Sequence, residues 1–469
     1  MEPTQAPSPP KDQFEPYVPS DDSAWDTPKA GHLLRRLTFG PTRQRLDALL
    51  KLSPGEAIDS LLDYDPEKDP FEGMLEQMEG LFNLRDVGQV QQWWIYRMVH
   101  SPQPAQEKLV LFWHNYFATS GSKVENGVYM HKQIELFRSK GLGSFRDLLI
   151  GVATDPAMLI WLDGKDNRKG KPNENFAREV MELFTLGVGN YSEDDIKQLA
   201  RAFTGWRIEQ NEGTFKKEQF DDGEKTIFGE KGDYDLEGAI DLILKRPTAS
   251  KYLARKMLRG FVHPDPTDEQ IDHYAKRLLD SDWNIKLVLR EMFASRMFFS
   301  EWAYRSKIKS PSELVIGSAI AMGGKPNMQF LREQLSKMGQ NLLYPPNVKG
   351  WDGEEAWINS NTVLVRFNFG MSIATQRSQG GPEVMARGND LETPLKSMNV
   401  KTADDVIDVY ARVFLDGKLP EGAKEKLLDY MNRDQKDQAK PFVLNRETVN
   451  SKVRDMLHIL MTTPEYQLA

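Results

Sequence analysis

From about residue 29 onward, apolar residues recur at intervals of three and four, the spacing that lines one face of an α-helix. Runs of alternating apolar and polar positions bounded by turn residues are scarce. The pattern predicts a mainly α fold, a multi-helical globular body with long irregular loops and at most a small β-hairpin element. KAGHLLRRLTFG, EKLVLFWHNYFATS, SFRDLLIGVATDPAML and YSEDDIKQLARAFTGW carry it most plainly. Helix punctuation agrees: Pro102 and Pro104 sit just ahead of the second stretch, and Ser192 with Asp195 three places on forms a capping box for the fourth.

The helical pattern lapses twice. Between Ile208 and Gly238 the chain turns Gly- and charge-rich, which makes FKKEQFDDGEKTIFGEKGDYD the place for any β element. The second lapse, YPPNVKGWDGEEAWINSN, carries Pro345, Pro346, Gly350 and Gly353, residues that break helices sterically. Three regions result: a flexible Pro-rich acidic tail (1–28), a helical main domain (29–375) and a C-terminal helical unit (376–469). The last weakly echoes 252–299, since each runs helix, Pro-containing loop, helix, helix. Each also closes on a hydroxyl residue three places before an aromatic, Ser295 with Phe298 and Thr463 with Tyr466.

Composition narrows the function classes. The chain has 469 residues, 39% hydrophobic and 28% charged, with a formal charge of -8, the balance of a soluble globular protein. Net negative charge disfavours nucleic acid, whose backbone demands a concentrated positive field, and no apolar run reaches the ~20 residues of a membrane span. The absence of cysteine removes disulfides, thiolate metal sites and thiol nucleophiles. The N-terminal MEPTQAPSPPKDQFEPYVPSDD lacks the basic and apolar regions of a secretory signal.

Candidate chemistry centres on NENFAREVMELFTLG, residues 173–187. On a helix at 100° per residue, Phe176, Ala177, Val180, Met181, Leu183 and Phe184 share one side. Glu174, Asn175, Arg178, Glu179, Glu182 and Thr185 share the other. Gly187 suits a left-handed terminator. The polar face is either solvated surface, with Arg178 pairing Glu174 and Glu182 at i,i+4, or the lining of a site. For a site, Asn173, Asn175 and the preceding Asp163 would join Glu174, Glu179 and Glu182. Glycoside hydrolysis needs two carboxyls that flank the scissile bond. Glu179 and Glu182 share one face, so Asp163 is the better partner for either. Arg178 would hold nearby glutamates ionised, which suits a base, nucleophile or cation ligand more than a proton donor.

Further candidates lie elsewhere. His114 and Asn115 stand on an aromatic-rich helix, Arg201 and Trp206 end another, and the second irregular segment offers Trp351 and Trp357 beside planar amides and carboxylates. Flat rings with such neighbours can stack on and hydrogen-bond a sugar, or can anchor a long loop to the core. No motif gathers three metal ligands, since His131 with Glu135 is a single pair, so neither a metal nor another cofactor is expected.

HLLRRLTFGPT, LFWHNYFATS, DPAMLIWLDG, the block from Asn167 to Trp206, DDGEKTIFG and PPNVKGWDGEEAWINSNT together resemble the bacterial family catalogued as domain of unknown function 1800. That family has no assigned activity. Its members are similar in being largely helical, in commonly bearing export signals and in being encoded often beside a sulfatase-like protein. Many carry a second histidine where this chain has Tyr116. The resemblance implies a periplasmic or extracellular setting, with the leader absent from this chain and a cytoplasmic one left open. It also implies a role connected with polysaccharide or the cell surface. Two expectations follow: an acidic pocket that binds or hydrolyses a glycan through carboxylates, or a non-catalytic partner of a secreted sulfatase-like protein.

Overall fold

Helix starts in this chain are fixed by side chains that satisfy the first free amides. Ser53 with Glu56, Ser192 with Asp195, Thr267 with Gln270, Ser310 with Glu313 and Thr402 with Asp405 all form reciprocal capping boxes, each cap contributing about 1 kcal/mol. In the computed structural model, which describes residues 7–63, 71, 73–75, 80–376, 384–387, 390–434, 436 and 438–469, these helices pack into a mainly α body. α2 (Pro104–Tyr116), α5 (Pro247–Phe261) and α6 (Pro311–Met322) border the site, and around them stand α1 (Thr27–Leu37), α3 (Asn175–Glu179), α4 (Glu193–Ala202), α7 (Ser360–Thr375) and α8 (Arg454–Thr462).

Strands are few. Trp206–Glu209 pairs with Glu212–Phe215, and Lys225–Ile227 with Glu230–Gly232, both antiparallel and both inside the Gly- and charge-rich lapse. A short pairing of Lys325–Pro326 with Met385–Arg387 is the third among the described residues.

One continuous apolar core runs from Ala30 to Tyr466. At its centre Trp113, Phe117, Phe145 and Trp283 stack in series, with ring centroids 5.7, 6.2 and 5.8 Å apart. The C-terminal unit shares this core. α7 packs on α8, where the Arg454 guanidinium donates to the Ala374 carbonyl, and the last residues run beside 307–309: Lys309 N donates to Gln467 O, and Ala469 N to Lys307 O. The boundary expected near residue 376 abuts 377–383, which lie outside the described residues. Both echoed endings have one local geometry. Ser295 and Thr463 each donate to the carbonyl three residues back and accept from the amide three residues on.

Of the segment 1–28, expected as a flexible tail, the part from Asp12 onward is docked. Three aromatic anchors in an otherwise polar stretch account for this. Phe14 stacks on His273 at 3.9 Å, Tyr17 meets Phe299, and the Trp25 indole donates to Leu49 O. Backbone bonds from Tyr17, Arg296 and Met297 fasten it further.

The stretch from Glu174 to Leu186 also departs from the expected regular helix. Only α3 is α-helical; Val180–Thr185 widens into a π-helix. The Thr185 hydroxyl donates to Val180 O at 2.6 Å, and Leu186 N and Gly187 N both return to Met181 O. Widening the turn swings Thr185 inward, so it is buried rather than on the polar face. Two tyrosines cap carbonyls of the wide turn: Tyr252 donates to Leu183 O and Tyr116 to Phe184 O. Gly187 has φ +81°, the left-handed terminator that the sequence implied.

Candidate functional site

A recess of about 500 Å3 lies where the C-terminal end of α2 meets the end of α5, the extended segment 307–310 and the Gly- and Trp-rich loop 349–357. Asn115 fixes the loop to α2. Its Oδ1 accepts from Trp351 N at 2.7 Å while its Nδ2 faces Trp351 O at 3.4 Å, so one planar amide reads both backbone groups of one residue. The fit needs glycine next door. Gly350 has φ +84°, and a Cβ there would collide with Asn115.

Charged pairs hold the other walls. The Lys307 ammonium pairs with Glu354 Oε1 and donates to Arg259 O at 2.7 Å, while Glu354 Oε2 accepts from Ile308 N at 2.9 Å. One carboxylate thereby ties the loop to the extended segment, and one lysine ties both to the end of α5. Lys108 pairs with Glu313, whose second oxygen accepts from Ser310 N. Burial alone raises the Glu313 carboxyl, but Lys108, the Ser310 amide and Lys307 more than offset it and leave it at about 2. Burial lowers both Lys108 and Lys307, their carboxylate partners opposing it.

Lys256 differs from these. Its ammonium sits 5.5 Å over the Tyr252 ring and meets no hydrogen-bond acceptor among the described residues. Burial, then Arg259 and Lys349, lower it. Phe112, Trp351 and Trp357 supply rings to the lining, although both tryptophans are largely covered. The recess therefore offers a cation without a hydrogen-bonded partner among the described residues, the exposed Glu355 and ring edges, with Glu313 held ionised and both Glu313 and Glu354 paired.

Of the residues singled out in the sequence, Asn115, Trp351 and Trp357 line this recess, and Asp163, Asn173, Glu174, Asn175, Arg178, Glu179 and Glu182 do not. His114 is closed off beneath it. Its Nε2 accepts from Leu343 N at 3.1 Å, its ring meets Trp94 and Trp351 edge-on, and burial lowers it to about 3, so it is neutral with its proton on Nδ1.

The acidic arc is a set of local partnerships on partly exposed surface. Arg178 forms a two-point pair with Glu193 of α4 at 2.8 and 2.9 Å and a weaker bond to Glu174 at 3.4 Å. Glu182 accepts from the Tyr191 hydroxyl, and Asp163 pairs with Lys123 and accepts from Asn175 Nδ2. Asn173 Oδ1 caps Asn175 N. Glu179 has no bonded partner among the described residues, and burial and then Glu182 raise its carboxyl against the pull of Arg178. Arg201 grips Asp221 at two points, 2.8 and 3.0 Å, and Trp206 opens the first hairpin. No group of three His, Asp or Glu side chains able to hold a metal occurs among the described residues.

Sequence reasoning passed over Lys256, Arg259, Lys307 and Glu354. A signal existed for the first two: Tyr252, Lys256 and Arg259 fall at i, i+4 and i+7 on one face of an otherwise apolar-backed helix. Lys307 and Glu354 gave none, because their pairing joins segments 47 residues apart.

No helix among the described residues is long and apolar enough to cross a membrane. Among curated proteins and among solved structures, nothing matches the chain. A family model does match, over residues 32–468. The chain belongs to the family described as protein of unknown function (DUF1800).

Proposed function

We propose that the protein binds a glycan in the recess between Asn115, Lys256 and the loop 349–357. The observation that carries this reading is the convergence, in a volume within the ~300–1,000 Å3 of small-molecule sites, of ring edges, an uncommitted lysine and an exposed glutamate on rigidly tied walls. Aromatic edges and charged donors suit the alternating apolar and hydroxyl faces of a sugar. The extracytoplasmic setting rests on the family resemblance alone.

Hydrolysis draws less support. A glycosidase needs one carboxyl held protonated opposite a second, and the buried acid of the recess, Glu313, is held ionised. The one raised carboxyl of the arc, Glu179, lies outside the recess and shares a helix face with Glu182. The experiment is a titration of neutral and acidic oligosaccharides against the wild type, Lys256→Met and Glu355→Ala, read by tryptophan emission. Saturable binding weakened at least tenfold by either change supports the reading; equal binding by all three proteins refutes it.

A second reading, as a docking partner for the sulfatase-like protein, is favoured by one observation. Ile358, just after the recess loop, and Leu364 and Phe367 on α7 are 39%, 61% and 38% exposed, three large apolar side chains close together on the surface. Co-purification of the two proteins with Leu364→Asp tests it, and an undiminished complex counts against it.

A further inference from the structure

The HLLRR stretch of α1 plays no part in the recess, yet it carries several buried donors without acceptors among the described residues. Arg35 is 3% exposed. Its Nη1 donates to Asp416 Oδ1 at 2.6 Å, but Nε and Nη2 are buried with no acceptor among the described residues. Lys309, 6% exposed, meets no side-chain hydrogen-bond acceptor among the described residues; its ammonium stands 3.7 Å from the centre of the Tyr466 ring. Both residues line one small void beside the Phe39, Gly40 and Pro41 turn and Tyr466, with about 10 Å3 open to a water-sized particle.

The surrounding carboxylates are committed elsewhere. Asp416 accepts from Arg35, from Arg305 at 2.9 Å and from the Tyr304 hydroxyl at 2.7 Å, and Glu313 is held by Lys108. Two guanidinium groups thus converge on one carboxylate, with Lys309 close by and no carboxylate bonded to it among the described residues, where water hardly reaches. Burying a charge without compensation costs several kcal/mol. Burial, reinforced by Arg35 and Arg305, drives Lys309 well below its ordinary range, which is the same frustration seen from the proton's side. A water molecule could accept from the Arg35 donors but would leave the charge excess standing.

We propose that this void is a binding site for a monatomic anion of the halide class, chloride being the available member, held by Arg35 Nε and Nη2 and by the Lys309 ammonium. The ion supplies the missing counter-charge and locks α1 against the 307–309 segment and the C-terminal Tyr466. The void has room for one small sphere, which rules out sulfate, phosphate and carboxylate ligands.

The test is urea unfolding of the full chain at fixed pH and ionic strength, with chloride exchanged stepwise for gluconate, an anion too large to enter. One bound ion makes the folded-to-unfolded ratio rise about tenfold for each tenfold rise in chloride above its dissociation constant. Bromide should reproduce this and give an anomalous diffraction peak between Arg35 and Lys309 in crystals. Lys309→Met should abolish the dependence. A zero slope in the wild type overturns the proposal, as does a slope that persists unchanged in Lys309→Met. Should that variant fail to fold, the wild-type slope and the position of the bromide peak decide the matter.

Discussion

Replacing Glu354 by glutamine isolates the contact that holds the recess loop in place. The carboxylate serves two donors at once, the Lys307 ammonium through Oε1 and the Ile308 amide through Oε2. A glutamine has the same shape but only one acceptor end, so its NH2 must face one of the two donors in either orientation. In both arrangements Lys307 loses its counter-charge, and where the NH2 faces it Lys307 keeps only the Arg259 carbonyl. The side chains are 10% and 15% exposed, close to the buried limit in which breaking one partner of an ion pair costs about 3 kcal/mol. Glu354→Gln should therefore destabilise by about 3 kcal/mol in urea unfolding. Lys307→Met in the same chain should restore much of that loss, since the unpaired charge is then gone. Amide exchange at Ile308 reports the bond directly and should accelerate. A Glu354→Gln variant within about 0.5 kcal/mol of wild type, or a double-mutant coupling near zero, would refute the claim that this pair fastens the loop.

Other perturbations probe separate parts of the structure. Asp155 caps the helix Pro156–Trp161 and is buried. Burial raises it to about 7, opposed by the Met158 amide and Gln133. The folded chain keeps this proton where the unfolded chain, at its ordinary 3.8, has released it, so stability is lost as pH rises between those values. Asparagine caps equally well and cannot ionise; the Asp155→Asn variant should gain on wild type by up to about 1.4 kcal/mol per pH unit across that window, read from unfolding midpoints. Thr185→Val removes the hydroxyl that closes the π turn and leaves Val180 O buried; a loss of about 1–2 kcal/mol is expected, along with faster exchange at Leu186. Gly350→Ala should cost about 1–2 kcal/mol from its positive φ alone and more from the collision with Asn115, shifting the emission of Trp351; a silent variant would show that the loop is not clamped there.

Local chemistry explains how far the sequence could be read. The Ser192–Asp195 capping box, the Gly187 terminator and the shared endings at Ser295 and Thr463 are fixed by residues within four positions of one another, and each takes the form that its spacing implies. The β element falls in the Gly- and charge-rich lapse for the same reason. Arg178 was less legible. Its nearest i,i+4 partner, Glu174, is the weaker one, because a two-point grip on Glu193 from the next helix is geometrically better for a guanidinium. The π turn was invisible to a 100° projection, since it depends on Thr185 and on tyrosine hydroxyls from two distant helices. Lys256 could have been noticed as a lone cation at the edge of an apolar stripe. The recess itself could not, because its walls are pairs such as Lys108 with Glu313, separated by 205 positions.

The most direct test of a recess that binds glycan is hydrogen exchange on the wild-type chain with and without an oligosaccharide that binds. Slowed exchange confined to 349–357, the end of α2 and the 307–310 segment is the predicted result. Slowing confined to 173–187 would contradict it and place the ligand on the acidic arc instead.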